Sequence, residues 1–543
     1  MVNKLRGRVV VAVALGWAAG LLWAAAASAY GGAAASATPS SAKAEVNADI
    51  KTTPEASAAA KAPDSFIPDE PTQPPPPIVS RDPALVKEWA KDVAELRKDA
   101  EAGSAPAQLV LGLRYGWGRG VLQDDAEAVK WYREAADQGY ASAQFSLGSC
   151  YLYGIGVPKD GVEAAKWYRK AADQGLAVAQ FLLGACYSNG EGVPKDKAEA
   201  VKWYRKAAEQ GQVYAQLNLG TCYAEGKGVP KDQAEAVKWY RKAAEQGYAT
   251  AQLSLGLCYA NGQGVPKDEA EAVKWLTKAA EQGLSTAQFS LGVHYAQGWG
   301  VPKYPAGAAA WYRKAAERGH SMAQFNLGVC YERGEGVPQD LAEAVKWYRK
   351  AAEQGVPEAQ VNLALCYVKG QGVAPDEREA IKWFRKAAEQ GDAEARYNLG
   401  VSYEKGMGVA KDVAGAVELY RMAAEQGHAA AQFNLGCCYQ TGQGVAKDVA
   451  EANKWFRKAA EQGLAEAQFN LGVSYELRSG VPDSPSGAIE WYYRAAGSFL
   501  KKGDRGRALT CYDRMKALEP SHSLTRQLYS ELYRAQAKGQ PKQ

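Results

Sequence analysis

The chain has little of what enzymes are built from. Its 543 residues include four histidines, His294, His320, His428 and His522, scattered along the second half. There is no HExxH pair, no Walker loop and no GxGxxG after a strand, so no metal, nucleotide or other cofactor is expected. Carboxylates abound, yet nothing singles out a pair for a glycosidase-type cleft. An excess of one charge is also missing: 65 basic and 60 acidic residues leave a net +5, which is weak for a nucleic-acid binder and its clustered basic face. Cysteine pairing is missing as well. The nine cysteines are an odd number, there is no CxxC, and adjacent Cys437 and Cys438 lack metal-site spacing.

What the chain has instead is one sentence repeated. A clean copy opens Ala215-Gln216-Leu217-Asn218-Leu219-Gly220-Thr221-Cys222-Tyr223 and turns through Gly226, Gly228 and Val229. It then runs from Asp232 through Glu235, Trp239 and Tyr240 to Gly247. The opening recurs every 36 residues from Ala107 to Ala467, eleven copies without insertion or deletion. A fixed period of this length means stacked supersecondary units and a core that grows along an axis. The expected fold is all-α: a right-handed superhelical solenoid of about eleven helix-turn-helix repeats with capping helices.

Each repeat divides into two helices. In helix A, Ala215, Leu219, Cys222 and Tyr223 fall on one face by helical spacing. Gly220 sits mid-helix, where it costs about 1 kcal/mol against alanine. Ten of eleven copies keep it, Ala364 being the exception, which points to close helix approach. Asp232 caps helix B, with Glu235 placed for a capping box. Helix B carries the column Trp131, Trp167, Trp203, Trp239, Trp275, Trp311, Trp347, Trp383, Trp455 and Trp491, with Leu419 in the ninth copy. Aromatics at this spacing read as core. Seven cysteines share one helix A position; neighbours along a solenoid axis sit on the order of 10 Å apart, beyond the ~7 Å a disulfide tolerates, so they read as packing thiols.

The Ala-Gln-x-x-Leu-Gly-x-x-Tyr, Gly-x-Gly-Val and Ala-x-x-Trp-Tyr-x-Lys-Ala-Ala elements resemble the Sel-one-like repeat, a relative of the tetratricopeptide repeat. The resemblance implies helix A lining a concave surface, and work as an adaptor or scaffold in quality control, envelope signalling, polysaccharide export or virulence. A cysteine-rich branch of this family binds penicillins. It carries paired cysteines in each repeat, where this chain has one, so its disulfides and its ligand do not carry over.

Outside the repeats the chain changes character. Lys4, Arg6 and Arg8 precede an apolar run ending Ala27-Ser28-Ala29. Residues 1–29 therefore read as a secretory signal, or as an uncleaved anchor, and the protein as exported, periplasmic or secreted. Residues 30–82 are an Ala/Pro-rich linker too poor in apolar surface to fold. Residues 83–106 read as an N-terminal cap, with 83–102 as the second helix of an incomplete copy. The eleven repeats occupy 107–498. Residues 499–537 form a tetratricopeptide-like closing unit with a capping helix, and 538–543 a tail.

Two sets of residues are candidates for partner binding. Asn218, Asn326, Asn362, Asn398, Asn434 and Asn470 share a slot whose amides can pair with a peptide backbone or with a neighbouring repeat. The exposed end of helix A varies from copy to copy, including Trp117, Tyr153, Arg333, Lys369 and Lys405, and Trp299 lies in the turn of the irregular sixth copy. The functional expectation is a scaffold for partner proteins or peptides. The alternatives are an envelope polysaccharide or peptidoglycan module using Trp117, Tyr153 and Trp299, and a β-lactam-binding hydrolase. Neither nucleic acid nor a membrane is expected as partner, apart from the N-terminal segment if it is uncleaved.

Overall fold

The computed structural model describes residues 83–481 and 484–537. The signal, linker and tail segments lie outside the described residues. Among the described residues there are 26 helices and no strand. Consecutive helices pair in a repeat of about 36 residues, an α-solenoid. No helix among them is long and apolar enough to cross a membrane. They fall into two compact units, 83–303 and 304–537. The division lies inside the sixth repeat, between its helix A (Ser285–Gln297) and its helix B (Pro305–Glu317). There Tyr304 stands where other repeats have the capping Asp, and its side chain makes no cap bond.

In the first unit the fourth repeat is representative. Helix A (Val213–Glu225) buries Ala215, Gln216, Leu217, Leu219 and Gly220; helix B (Gln233–Glu245) buries Ala236, Val237, Trp239, Tyr240, Ala243 and Ala244. Gly220 is needed because a Cβ there would lie 2.7 Å from the Tyr240 ring. Gly226 ends helix A at φ +73°. Gly228, at φ +76°, is held twice over: a Cβ would sit 2.2 Å from the Lys197 carbonyl of the preceding repeat, so the turn rests directly on its neighbour's backbone.

The capping box is only half made. Asp232 Oδ1 accepts from Glu235 N at 3.0 Å, but Asp232 N donates to the Tyr223 carbonyl at 2.9 Å. With that donor already satisfied, the Glu235 carboxylate turns to Lys238 Nζ at 2.8 Å and to Trp239 Nε1 at 3.0 Å. Lys242 Nζ lies 4.1 Å from the centre of the Trp239 ring. The indole is thus buried, bonded at its nitrogen and covered by an ammonium, each contact favourable for an aromatic ring. Nine of the ten Trp residues in the column are buried; Trp311 is half-buried.

The N-terminal cap differs from the single helix expected over 83–102. Two helices form, Pro83–Trp89 and Val93–Glu101, because Asp92 starts a new one by accepting from Glu95 N at 2.8 Å. Leu85 and Leu96 are nonetheless fully buried. At the end of the second unit, helices Pro485–Lys501, Arg505–Leu518 and Ser523–Ala537 share a core of Phe499, Cys511, Met515, Leu528 and Leu532. Arg478, standing for a turn glycine, takes φ +54°.

Candidate binding surface

Most repeat positions already have side-chain partners within the solenoid, and few are left for a ligand. The Asn slot is less free than expected. In the first unit Asn218 lies against the Tyr204 phenol, fourteen residues earlier in helix B of the preceding repeat. In the second unit Asn326 lies against Tyr312, Asn362 against Tyr348, and Asn434 against Tyr420. Burial pushes each of these phenols well above its ordinary value, and the neighbouring amide offsets part of the rise. Asn326 is wholly buried, which removes it from any surface a partner could reach. The preceding aromatic is Phe384 for Asn398, and a phenylalanine offers no hydroxyl. Asn398 bonds within its own helix instead, Nδ2 donating to the Glu394 carbonyl at 2.9 Å. Asn470 follows Phe456 in the same way and is half-buried.

The variable slots are more open, and they are not gathered into one site. Lys369 and Lys405 are exposed; Arg333 is half-buried, 3.8 Å from Glu335. Trp117 is half-buried and already engaged, edge-on to Trp89 at 6.0 Å with Arg119 over its ring. Tyr153 packs into the first unit's core. Trp299 is 41% exposed and stands edge-on to His294 at 5.8 Å. His294 itself is buried, its Nδ1 donating to the Ser290 carbonyl at 2.8 Å, with Nε2 3.3 Å from Glu269. The cysteines are free, and burial pushes Cys150 and Cys186 up to about 12 and Cys258 to about 11, so they stay protonated thiols at neutral pH.

Two features escaped the sequence reading. The first is the role of the repeated Gln. Gln216 Nε2 donates to the Ala208 carbonyl at 3.1 Å, at the end of the preceding helix B; its Oε1 accepts from Gln246 Nε2 at 2.8 Å. One buried amide thereby ties three helix ends, and the same pair recurs as Gln180 with Gln210, Gln252 with Gln282 and Gln360 with Gln390. The signal was present in the pairing of Ala-Gln with Glu-Gln-Gly.

The second is a cavity in the second unit. It measures about 320 Å³ and is lined by Arg385, Ala388, Glu389, Arg396, Leu399, Tyr403, Gly415, Leu419 and Met422. It lies between helix B of the eighth repeat (Glu377–Glu389) and the ninth repeat, helices Ala393–Lys405 and Val413–Glu425. Leu419 occupies the Trp position, Gly415 that of the Glu bonded to the indole nitrogen, Met422 that of the Lys over the ring, and Arg396 that of the clamp Gln. The departures at 396, 415 and 422 were readable in the sequence by column, though only Leu419 drew notice.

Thirty-six-residue helix pairs stacked through shared carbonyls and buried indoles define a solenoid of tetratricopeptide type, a protein-interaction scaffold fold. The model of the Sel1 repeat matches residues 105–140, 141–176, 177–212, 213–248, 249–284, 285–320, 321–356, 357–392, 393–428, 429–464 and 465–498, and the chain belongs to that family. Among solved structures it is similar to c5321, a protective antigen present in uropathogenic Escherichia coli strains, displaying an SLR fold. Identity is 39% and the TM-score 0.73, over 83% of this chain and 98% of that one. A Sel1 repeat protein from Oxalobacter formigenes is also 39% identical, with a TM-score of 0.47 over 56% of this chain and 87% of that one. No curated protein matches the chain in sequence.

Proposed function

We propose that this chain is an exported, non-enzymatic scaffold that holds partner proteins or peptides along the face made by successive helices A. One observation carries the reading. Residues constant across the repeats are consumed by folding, as the Trp, Tyr, Gln, Gly and Asp columns are, while the helix A ends change chemistry from Trp117 to Lys405. A surface that varies over an invariant frame suits distributed recognition of an elongated partner. Export rests on the basic and apolar residues of segment 1–29, and kinship with a protective antigen supports it.

The test is cross-linking with mass spectrometry on the envelope fraction of cells expressing the full chain. Partner peptides should cross-link to several repeats, with Lys369 and Lys405 among the reactive positions. Cross-links confined to one repeat would overturn distributed binding. Protease added to spheroplasts should digest the protein, and protection there would overturn export.

A further inference from the structure

The cavity of the ninth repeat is a vacated indole seat. Trp239 shares its buried cluster with Ala208 and Leu219, and it is bonded by Glu235 and covered by Lys242. Five repeats on, the same positions are Leu419, Ala388, Leu399, Gly415 and Met422, and all five line the cavity. The ring, the carboxylate that holds its nitrogen and the ammonium that covers its face are lost together. The Glu slot also holds Gly307 and Gly487, beside retained Trp311 and Trp491; only in the ninth repeat are the ring and its cover lost with it. Here all are replaced by small or apolar groups, which clears the seat and its approach. Leu399 is 4% exposed where Leu219 is fully buried, and Met422 is 46% exposed at the mouth.

The rim has also gained charge. Arg396 replaces a neutral Gln and reaches the Ala388 carbonyl only through Nε, at 3.3 Å. Arg385 donates to the Tyr403 hydroxyl at 3.2 Å. Among the described residues neither guanidinium makes a salt bridge, and Glu389 is the one acid in the lining. A cavity of about 320 Å³ with an apolar floor, at the small end of ligand sites, and two guanidiniums against one carboxylate in its lining select a ring flanked by carboxylates.

We propose that this seat receives a tryptophan side chain from an acidic segment of a partner protein, the partner supplying the indole that the ninth repeat lacks. The inference rests on the scaffold reading and locates one anchor point within it.

The probe is a fluorescein-labelled Glu-Glu-Trp-Glu-Glu peptide, titrated against the full chain by fluorescence anisotropy. Saturable binding is expected, weakened by about tenfold or more, one aromatic contact's worth, when Ala replaces the Trp of the peptide. The triple variant Gly415→Glu, Leu419→Trp, Met422→Lys refills the seat with the repeat's own indole and should abolish binding while unfolding no earlier than the native chain. Arg396→Gln, which restores the clamp, should weaken binding and flatten its salt dependence. Undiminished binding by the triple variant, or equal binding of the Ala peptide, would overturn the proposal, as would no binding at all. Equal affinity for free indole-3-acetate would reassign the seat to a small aromatic acid, and self-association lost in the triple variant would reassign it to a second copy. The envelope cross-links at other repeats are read separately, so the seat can fail while the scaffold stands.

Discussion

The fourth and ninth repeats have the same length, turns and helix boundaries, yet one is closed where the other is open. In the fourth, Trp239 is 7% exposed, hydrogen-bonded by Glu235 and covered by Lys242. In the ninth, Leu419, Gly415 and Met422 leave a cavity of about 320 Å³ at the same place. The backbone does not register the difference: Asp412 still caps its helix, accepting from Gly415 N at 2.9 Å, and Tyr420 is still fully buried. The lesson is that each repeat has a frame, which is caps, turns, clamp and inner aromatic, and a seat on that frame that can be filled or emptied without loss of the fold.

The comparison can be broken most forcefully at the seat. Trp239→Ala should cost about 3–5 kcal/mol, as large aromatic truncations do, whereas Leu419→Ala beside an existing cavity should cost only about 1–2 kcal/mol. Urea unfolding of both variants checks this, and equal losses would mean that the ninth seat is as tightly packed as the fourth. Next comes the frame. Gly228→Ala combines a left-handed backbone with a clash on the Lys197 carbonyl and should cost about 2–4 kcal/mol. Gly247→Ala, at φ +89° but with nothing within 4 Å, should cost about 1 kcal/mol. Thermal melts of the pair separate conformational strain from contact between repeats.

The clamp should be worth less. Gln216→Leu removes two hydrogen bonds, but the Ala208 carbonyl keeps Gly211 N and the Gln246 amide keeps the Gly211 carbonyl, so the loss should be about 1–1.5 kcal/mol. Arg396→Leu gives up a single 3.3 Å bond and should cost under about 1 kcal/mol. Amide hydrogen exchange at the adjoining helix ends would report both.

The helix A cap slot allows a comparison by pH. Gln212 caps the fourth repeat, accepting from Ala215 N at 2.6 Å; His320 caps the seventh, its Nδ1 accepting from Ala323 N at 3.2 Å. Burial depresses His320 to about 4. An unfolded histidine protonates near 6.5, so between those values the unfolded chain binds the extra proton. The neutral His320 therefore contributes its stability in full above pH ~6.5, and that stability is lost as pH falls to about 4, on the order of 3 kcal/mol in all. His320→Gln should flatten the urea midpoint between pH 7 and pH 4.5, and an unchanged slope would remove His320 as the titrating group. One effect is a gain: refilling the ninth seat through Leu419→Trp, Gly415→Glu and Met422→Lys should add about 1 kcal/mol, one buried aromatic less its ordering cost.

Much of this architecture was legible in the sequence. The 36-residue period, the Trp and Tyr columns, the Asp cap and the turn glycines each mark a local requirement, so they read directly as helix pairs. Where the reading fell short, the deciding partner lay in another repeat or on another helix. Glu235 looked like half of a capping box because the competing carbonyl, Tyr223, belongs to the helix before. The Asn slot stayed open between a partner's backbone and a neighbouring repeat because its aromatic neighbours lie fourteen residues back, across a turn. The 83–102 segment looked continuous because one apolar periodicity runs through Asp92, which then caps a second helix.

By itself the sequence determined the helical repeat, its length, the column of rings in its core and the places where the column is interrupted. All of these are periodic properties of one chain and need no neighbour to define them. Only the tertiary structure decided what an interruption means. A leucine in a tryptophan column is a tolerated core substitution if the neighbours collapse around it and a binding seat if they do not. That outcome depends on the fixed approach of two helices clamped through the backbone, a distance that no single repeat encodes.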